Sequence, residues 1–190
     1  ACFEKKHWPK RVSFHGMVIS EGEKMSKSKG NVVTLVDINE RFGADPFRAF
    51  MCNSTSVDST FNWDSDKVEL MKKSLNSLFE LIKGIEEKTE KNDSYKKYIS
   101  FVSKTEKAIL NATKSINEMD LRKYSNVVIY DMLNNYKKIK TTASKKGLKS
   151  INNYIGVNWI KMLTPLVPHL AEELWSINNE GFVSIADWPK

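Results

Sequence analysis

Cysteine and long apolar runs are scarce in this sequence of 190 residues, and each scarcity excludes a class of protein. The two cysteines are too few for a disulfide framework, show no paired metal-binding spacing, and indicate a reducing compartment. No apolar run reaches the roughly 18 residues that a membrane span requires. The opening stretch "ACFEKKHWPK" is charged and lacks the apolar core of a signal peptide. We therefore expect a cytoplasmic protein with no membrane partner and no metal site.

Positive charge is what the chain has in excess. Thirty lysines and arginines face 23 acidic residues, which gives a formal net charge of +7. This balance favours a polyanionic partner such as a nucleic acid, although a solvated lysine-rich surface fits the same count. The length suits one domain or two small ones, and the Ala at position 1 suggests a piece of a longer protein.

Two regions of the chain differ in their patterning. Residues 1–63 mix short apolar stretches with turns, and Thr34, Gly43 and Asp45 look like the caps of two short helices. From residue 64 onward, apolar residues recur at steps of three and four, which predicts four amphipathic helices and a fifth that opens at Pro168. The predicted fold is mainly α: a short α/β connecting segment (1–63), a bundle of four to five helices (64–176) and an extended tail (177–190).

Several apolar side chains are candidates for the core. Trp159 and Trp175 lie on or beside the apolar stripes of predicted helices, and Phe14 and Met17 lie near a predicted strand. We predict that all four are buried.

The stretch "KMSKSKGN", residues 24–31, is the most unusual in the chain, and we call it the KMSKS loop. Three lysines alternate with serines and a methionine, a pattern that favours neither a strand nor a helix. Lysine acts as a point charge toward phosphate, and Gly30 allows close backbone approach. Such a loop could close over a triphosphate and neutralise its developing charge. It is not a Walker loop, and a solvated loop or a general nucleic-acid contact also fits the pattern.

The letters KMSKS resemble the second signature of class I aminoacyl-tRNA synthetases at every position. The surrounding "HGMVISEGEKMSKSKGNVVTLVDINERFGADPFRAF" is similar to the signature region of the branch that handles leucine, isoleucine, valine and methionine. "LTPLVPHLAEELW" resembles the last helices of that branch's anticodon-binding bundle. "HWPKRV", "DSTFNWDSDKVE" and "EGFVSIADWP" look most like leucyl-tRNA synthetases of the archaeal and eukaryotic type, and the isoleucyl and valyl enzymes are the alternatives.

The resemblance implies ATP-dependent activation of leucine and its transfer to tRNA(Leu), with Mg2+ expected beside ATP. Lys24 and Lys27 are implied to be catalytic through their contact with phosphate, Lys27 above all. Lys29 lies outside the five letters and is expected to be solvated. The nucleotide-binding set that the resemblance implies is Lys24, Met25, Ser26, Lys27, Ser28, His15 and Gly16.

The helical part is implied to bind tRNA. Its densest basic stretch is "YKKIKTTASKKGLK", residues 136–149, which we call the basic segment. Lysines that contact phosphates supply affinity with little sequence specificity, and a solvated turn fits the same pattern. The implied nucleic-acid contacts are Lys137, Lys138, Lys140, Lys145, Lys146 and Lys149.

The first class I signature, of the "HIGH" type, is absent from the chain, as is a long nucleotide-binding half. We therefore expect the chain to be inactive alone and to need that missing half, in the same chain or as a separate subunit. An apolar patch within residues 1–63 is expected where the missing half docks. The alternatives are a non-catalytic tRNA-binding module and an interaction scaffold.

Overall fold

Helices dominate the computed structural model, which describes residues 4–10, 12, 14–20, 22–56, 58–86 and 93–189. A small sheet of three strands accompanies them near the N-terminus. This arrangement confirms the predicted mainly α fold with a short α/β segment. Within the described ranges, no helix is both long and apolar enough to cross a membrane.

The N-terminal segment is built on the sheet, whose strand order is β2-β1-β3. Strand β1 (Val18–Ser20) pairs with β2 (Glu23–Lys24) in an antiparallel hairpin, and β3 (Phe61–Trp63) runs parallel to β1. Helices α1 (Leu35–Phe42) and α2 (Ala44–Ser54) form the crossover between the hairpin and β3, as parallel pairing requires.

Helix α1 has the limits that its caps predict. The Thr34 hydroxyl oxygen accepts a hydrogen bond from the Asp37 backbone N–H at 3.1 Å, which satisfies one of the donors at the start of the helix. Gly43 follows the last residue with φ of 88°, a left-handed conformation that glycine adopts at little cost.

The bundle begins directly after β3. Its helices are α3 (Ser65–Glu86), α4 (Ile99–Asn117), α5 (Leu121–Ser125), α6 (Met132–Thr142), α7 (Lys145–Leu163) and α8 (Pro168–Trp175). The predicted helices are confirmed, although the third of them is interrupted by a π-helical turn over Asn126–Asp131. The tail that we predicted to be extended includes a 3-10 turn, Val183–Ile185, whose Val183 is buried.

The π-helical turn lies against the centre of the bundle. The Trp159 indole N–H donates to the Val128 carbonyl oxygen at 2.6 Å, and the Tyr124 hydroxyl donates to the Met162 carbonyl oxygen. Each polar tip thus has a partner, as buried aromatic side chains require. Trp159 is fully buried and Trp175 is 8% exposed, so the prediction that both belong to the core is confirmed.

Phe14 and Met17 were predicted to be core residues, and that prediction is wrong. Their exposed fractions are 84% and 52%. Strand β1 begins only at Val18, so both side chains precede the sheet and are incompletely covered. Leu35 and Val36 on α1 are also exposed, and the expected apolar patch within residues 1–63 remains a prediction.

Candidate ATP-phosphate loop and nucleic-acid surface

A β-hairpin holds the start of the KMSKS loop. Ser20 pairs with Glu23 and Ile19 with Lys24, so the first lysine of the loop belongs to β2. Gly22 occupies the turn with φ of 78°, and its N–H donates to the Asn62 side-chain oxygen at 3.0 Å. The turn of the hairpin is thus tied to β3.

The middle of the KMSKS loop is a single 3-10 turn, Lys27–Lys29. Gly30 closes the turn with φ of 70°, in the left-handed region. The interpretation that this stretch forms neither strand nor helix is therefore wrong at Lys24 and at the 3-10 turn. Alternating lysines and serines carry no apolar period, and the order comes from hydrogen bonds instead.

Asn31 supplies those hydrogen bonds. Its side-chain oxygen accepts from the Ser26 backbone N–H at 2.8 Å, and its amide N–H groups donate to the carbonyl oxygens of Ser20 and Lys24, both at 3.4 Å. One side chain thus joins the two ends of the loop to the hairpin. The Gly-Asn pair after the lysines is the sequence signal from which this contribution to loop order could have been anticipated.

The three lysines of the loop differ in their pairing. Lys29 forms an ion pair with Glu23, whereas the exposed Lys24 and Lys27 form none with any residue in the described ranges. The Ser26 and Ser28 hydroxyl oxygens lie 2.7 Å apart and share one hydrogen bond. The hairpin and the 3-10 turn therefore present two uncompensated positive charges to an incoming anion.

His15 and Gly16 lie at the opposite end of β1 from the KMSKS loop. They line an apolar pocket of about 260 Å³ with Cys52 and Met119, whereas the cavity of about 510 Å³ beside the loop is lined by Gly30 and Asn31 among others. Burial raises the pKa of the Cys52 thiol, and the Arg48 charge partly offsets that rise. The structure thus does not bring His15 to the loop, and its implied nucleotide contact remains a prediction.

The basic segment occupies one helix–helix turn. Its lysines lie on the last turns of α6 and the first turns of α7, and all of them are exposed: Lys137, Lys138, Lys140, Lys145, Lys146 and Lys149. The Ser144 side-chain oxygen caps α7 by accepting from the Gly147 N–H at 3.2 Å.

A 3-10 turn, Asp93–Lys97, brings further positive charge to the basic segment. The Tyr95 N–H donates to the Ser150 hydroxyl at 2.9 Å, and the Tyr95 ring stacks on Tyr154 at 4.4 Å between ring centroids. Lys96 and Lys97 consequently accompany the lysines of α7. No local pattern predicts this, because the contacts join residues more than fifty positions apart.

Asp45 connects the N-terminal segment to the bundle. We predicted that it caps its own helix, but α2 already begins at Ala44, and the buried carboxylate points to α8 instead. It accepts from the Leu170 N–H at 2.7 Å and lies 3.0 Å from His169 Nδ1. Helix α8 has no side-chain cap of its own at Val167, so Asp45 satisfies that helix end from outside.

Arg48, one turn further along α2, makes the second connection. Its guanidinium donates to the carbonyl oxygens of Pro165 at 2.7 Å and Leu166 at 3.2 Å. Asp45 therefore joins α2 to the start of α8, and Arg48 joins α2 to the connection between α7 and α8. Sequence patterning missed this pair of contacts, which we call the α2–α8 clamp.

No group of three or more His, Cys, Asp or Glu side chains that could hold a metal ion occurs among the described residues. Two of the carboxylates near the KMSKS loop are paired, Glu23 with Lys29 and Asp64 with Lys67 at 3.0 Å. Asp66 lines the cavity beside the loop as well.

Comparison with known proteins shows what the chain is similar to. The profile described as tRNA synthetases class I (M) matches residues 2–84, and the profile described as the anticodon-binding domain of tRNA ligase matches residues 99–190. The leucine–tRNA ligase of Staphylothermus marinus is 36% identical over 194 residues, and that of Pyrococcus abyssi is 32% identical over 196. Each comparison covers 100% of this chain and 20% of the relative, so the chain spans about a fifth of their length.

A solved structure has the same fold. It is the ternary complex of the Agrobacterium radiobacter K84 LeuRS with tRNA and LeuAMS, which matches with a TM-score of 0.75 over 92% of this chain and 23% of that one. Because the sequence identity is only 22%, this similarity shows a shared fold and nothing further. The predicted resemblance to the C-terminal part of class I aminoacyl-tRNA synthetases is confirmed by these matches, and the archaeal relatives are leucine–tRNA ligases.

Proposed function

We propose that the chain is part of a leucine–tRNA ligase, in which the KMSKS loop binds the phosphates of ATP and the bundle binds tRNA(Leu). One observation carries the proposal: Lys24 and Lys27 project without ion-pair partners among the described residues, from a loop ordered by Asn31, on a fold that resembles archaeal leucine–tRNA ligases along its whole length. The enzyme would act in the cytoplasm.

The chemistry that the loop would assist is attack of the leucine carboxylate on the α-phosphate of ATP. The new bond joins a carboxylate oxygen to that phosphorus, and the bond to the bridging oxygen breaks to release pyrophosphate. Negative charge grows on the departing pyrophosphate, and Lys24 and Lys27 would stabilise it electrostatically. Ser26, Ser28 and Met25 would shape the loop. Mg2+ bound with ATP would add positive charge beside the same phosphates.

The tRNA would lie on the lysines of the basic segment. Exposed lysines on flexible stems suit the phosphate backbone, and the charge of Lys96 and Lys97 enlarges the surface that they form. We keep the predicted division into a catalytic segment (1–63), a bundle (64–176) and a tail (177–190) as part of this proposal.

The rest of the enzyme would dock on the exposed apolar side chains of the N-terminal segment. Phe14, Leu35 and Val36 are exposed by 84%, 69% and 66%, and apolar groups this open are typical of an interface. Four-fifths of the relatives' length lies outside the matched region, which is sufficient for a nucleotide-binding half.

Loop substitutions in the longer enzyme test the catalytic part of the proposal. Lys27→Ala should lower ATP–pyrophosphate exchange about 100-fold, because a charge aligned with the transition state is lost. Lys29→Ala is the matched control and should change exchange less than about threefold, since Lys29 is already paired with Glu23. Binding of tRNA should stay within about twofold in both variants. Equal loss in both variants would refute the assigned role, and a salt-dependent loss of tRNA affinity would favour a binding-only module.

Capture of total cellular tRNA by the purified chain tests the partner. Enrichment of leucine tRNAs at moderate salt is the expected result. Enrichment of isoleucine or valine tRNAs would indicate that the chain is part of an isoleucyl- or valyl-tRNA synthetase instead. The absence of bound RNA would contradict a tRNA-binding role for the bundle.

A further inference from the structure

Strand β3 brings a polar side chain, Asn62, to the hairpin that carries the KMSKS loop. Its side-chain oxygen accepts a hydrogen bond from the Gly22 N–H at 3.0 Å, across 40 positions of the sequence. Gly22 lies in the turn of the hairpin, outside the ladder that pairs Ser20 with Glu23. The bond from Gly22 to Asn62 therefore attaches the tip of the hairpin to β3.

The register of the sheet places Asn62 on the same face as the first lysine of the loop. Ile19 of the central strand pairs with Lys24 on one side and with Asn62 on the other. Paired residues point to the same face, and neighbouring strands are about 4.8 Å apart, so Lys24 and Asn62 project together from points about 10 Å apart. At that separation Asn62 can influence Lys24 through the hairpin but not by direct contact.

The residues on either side of Asn62 face the core instead. The ring centroids of Phe61 and Trp63 lie 6.0 and 5.7 Å from that of Phe50, edge to face, and both side chains pack against the buried cluster. Side chains alternate along a strand, so Asn62 points away from the core. Strand β3 is thus held by aromatic contacts, and Asn62 projects from a well-anchored backbone.

Burial contributes little to the placement of the hairpin. Both residues of β2 are exposed, and a cavity of about 510 Å³, which Asn31 and Asn62 line among others, lies beside it. The hairpin is held by hydrogen bonds instead: the ladder to β1, the bonds of Asn31, and the bond from Gly22 to Asn62. Of these three connections, the bond to Asn62 reaches the tip of the hairpin.

We propose that Asn62 is a positioning residue for the phosphate-binding lysines. By accepting the Gly22 N–H, it fixes the start of β2 and hence the points from which Lys24 and, further along the loop, Lys27 approach the departing pyrophosphate. The inference rests on the proposed function, because it takes activation of the amino acid by ATP as the reaction. Electrostatic stabilisation depends on where a charge is held, so misplaced lysines should slow the chemical step more than they weaken substrate binding.

Kinetics of ATP–pyrophosphate exchange in the longer enzyme test the proposal. Asn62→Ala should lower kcat about fivefold, as expected for the loss of one hydrogen bond, and leave the KM for leucine unchanged. Asn62→Asp keeps an oxygen acceptor for the Gly22 N–H and should restore kcat to within about twofold of the parent. Asn76→Ala, at an exposed position of α3 outside the sheet, is the matched control and should change kcat less than about 1.5-fold.

A double-mutant cycle separates positioning of the lysines from a general effect on the fold. If Asn62 acts through Lys24, its substitution matters less once that lysine is removed. In a Lys24→Ala background, the loss from Asn62→Ala should therefore shrink from about fivefold to less than about twofold. Hydrogen exchange of the hairpin in the longer enzyme, followed by mass spectrometry, should be faster in Asn62→Ala and unchanged in Asn62→Asp.

The possible outcomes distinguish this inference from the proposed function. If Asn62→Ala behaves like the control, if Asn62→Asp does not restore kcat, or if the loss is equal in both backgrounds, Asn62 does not position the lysines. The proposed function then still stands, provided that Lys27→Ala lowers exchange. If Lys27→Ala itself leaves exchange unchanged, the proposed function fails and this inference fails with it.

Discussion

Removal of the Asp45 carboxylate should destabilise the fold more than the loss of any exposed ion pair. Asp45 is 7% exposed, and its oxygens accept the Leu170 N–H at 2.7 Å and face His169 at 3.0 Å. In Asp45→Ala the amide at the start of α8 loses a charged acceptor. Such a bond contributes about 1.5–3 kcal/mol, and the loss of a cap alone costs about 1 kcal/mol. Because the two figures describe overlapping effects, we expect a loss of about 2–3 kcal/mol.

Two further substitutions separate the sources of that energy. Asp45→Asn keeps an acceptor oxygen and loses the charge, so it should cost about 1 kcal/mol. His169→Ala removes only a partner whose side chain is 79% exposed, and it should cost less than about 1 kcal/mol. Asp131→Asn, an exposed position in the π-helical turn, is the control and should stay within about 0.5 kcal/mol.

Urea unfolding followed by circular dichroism at a fixed m value gives the four free energies. Hydrogen exchange of the Leu170 amide reports the cap directly and should accelerate in Asp45→Ala before the fold as a whole is affected. If His169→Ala costs as much as Asp45→Ala, the ion pair carries the energy and the capping argument is refuted. If Asp45→Ala stays within about 0.5 kcal/mol of the parent, the Asp45 contacts of the clamp have no measurable energetic role.

Three other predictions follow from single residues. Asn31→Ala should speed tryptic cleavage at the lysines of the KMSKS loop several-fold, with a change in unfolding free energy below about 1 kcal/mol, because only the loop loses its 2.8 Å bond; unchanged cleavage would contradict its ordering role. Gly16→Ala should cost about 1–3 kcal/mol in urea unfolding, since a Cβ there would lie 2.2 Å from the Ser59 carbonyl oxygen. Gly84→Ala, in open space on α3, should instead stabilise by about 0.5–1 kcal/mol, and equal signs would refute the steric argument. Burial raises the pKa of Tyr154 from 10.0 to about 12, so above pH 10 the Tyr154 hydroxyl loses its proton more readily in the unfolded chain. Burial raises the pKa of Tyr124 and of Tyr136 as well, so stability should fall as the pH rises above 10, and Tyr154→Phe should make that fall less steep in unfolding curves.

Local chemistry was enough to predict the helices and both ends of α1. The Thr34 cap and the Gly43 stop are set by residues within one turn, and the apolar stripes of the bundle repeat over many positions. The π-helical turn could not be predicted, because apolar residues recur at steps of three and four on both sides of it. One of its contacts is the bond from the Trp159 indole, which lies 31 positions away from its acceptor Val128.

The candidate site, too, was predictable from the sequence only in part. The KMSKS letters identified Lys24 and Lys27 as candidates, and the alternation of lysines with serines predicted that they lie in a loop. The hydrogen-bond partner of the Asp45 carboxylate was not predictable, because a cap predicted from sequence is assumed to accept hydrogen bonds from its own helix. Its partner lies 125 positions away, and only packing of α2 on α8 decides between the two uses.

The α2–α8 clamp makes the KMSKS loop depend on the bundle. The three short strands around the loop bury little by themselves, whereas Ile38, Phe42 and Phe50 of α1 and α2 belong to the same buried cluster as the bundle helices. Gly43 is the sole residue between α1 and α2, and the clamp joins α2 to α8. Helix α1 in turn follows Asn31, which orders the loop, by only three residues. The KMSKS loop, with Lys24 and Lys27, is therefore joined to the bundle through a continuous series of packed and hydrogen-bonded elements.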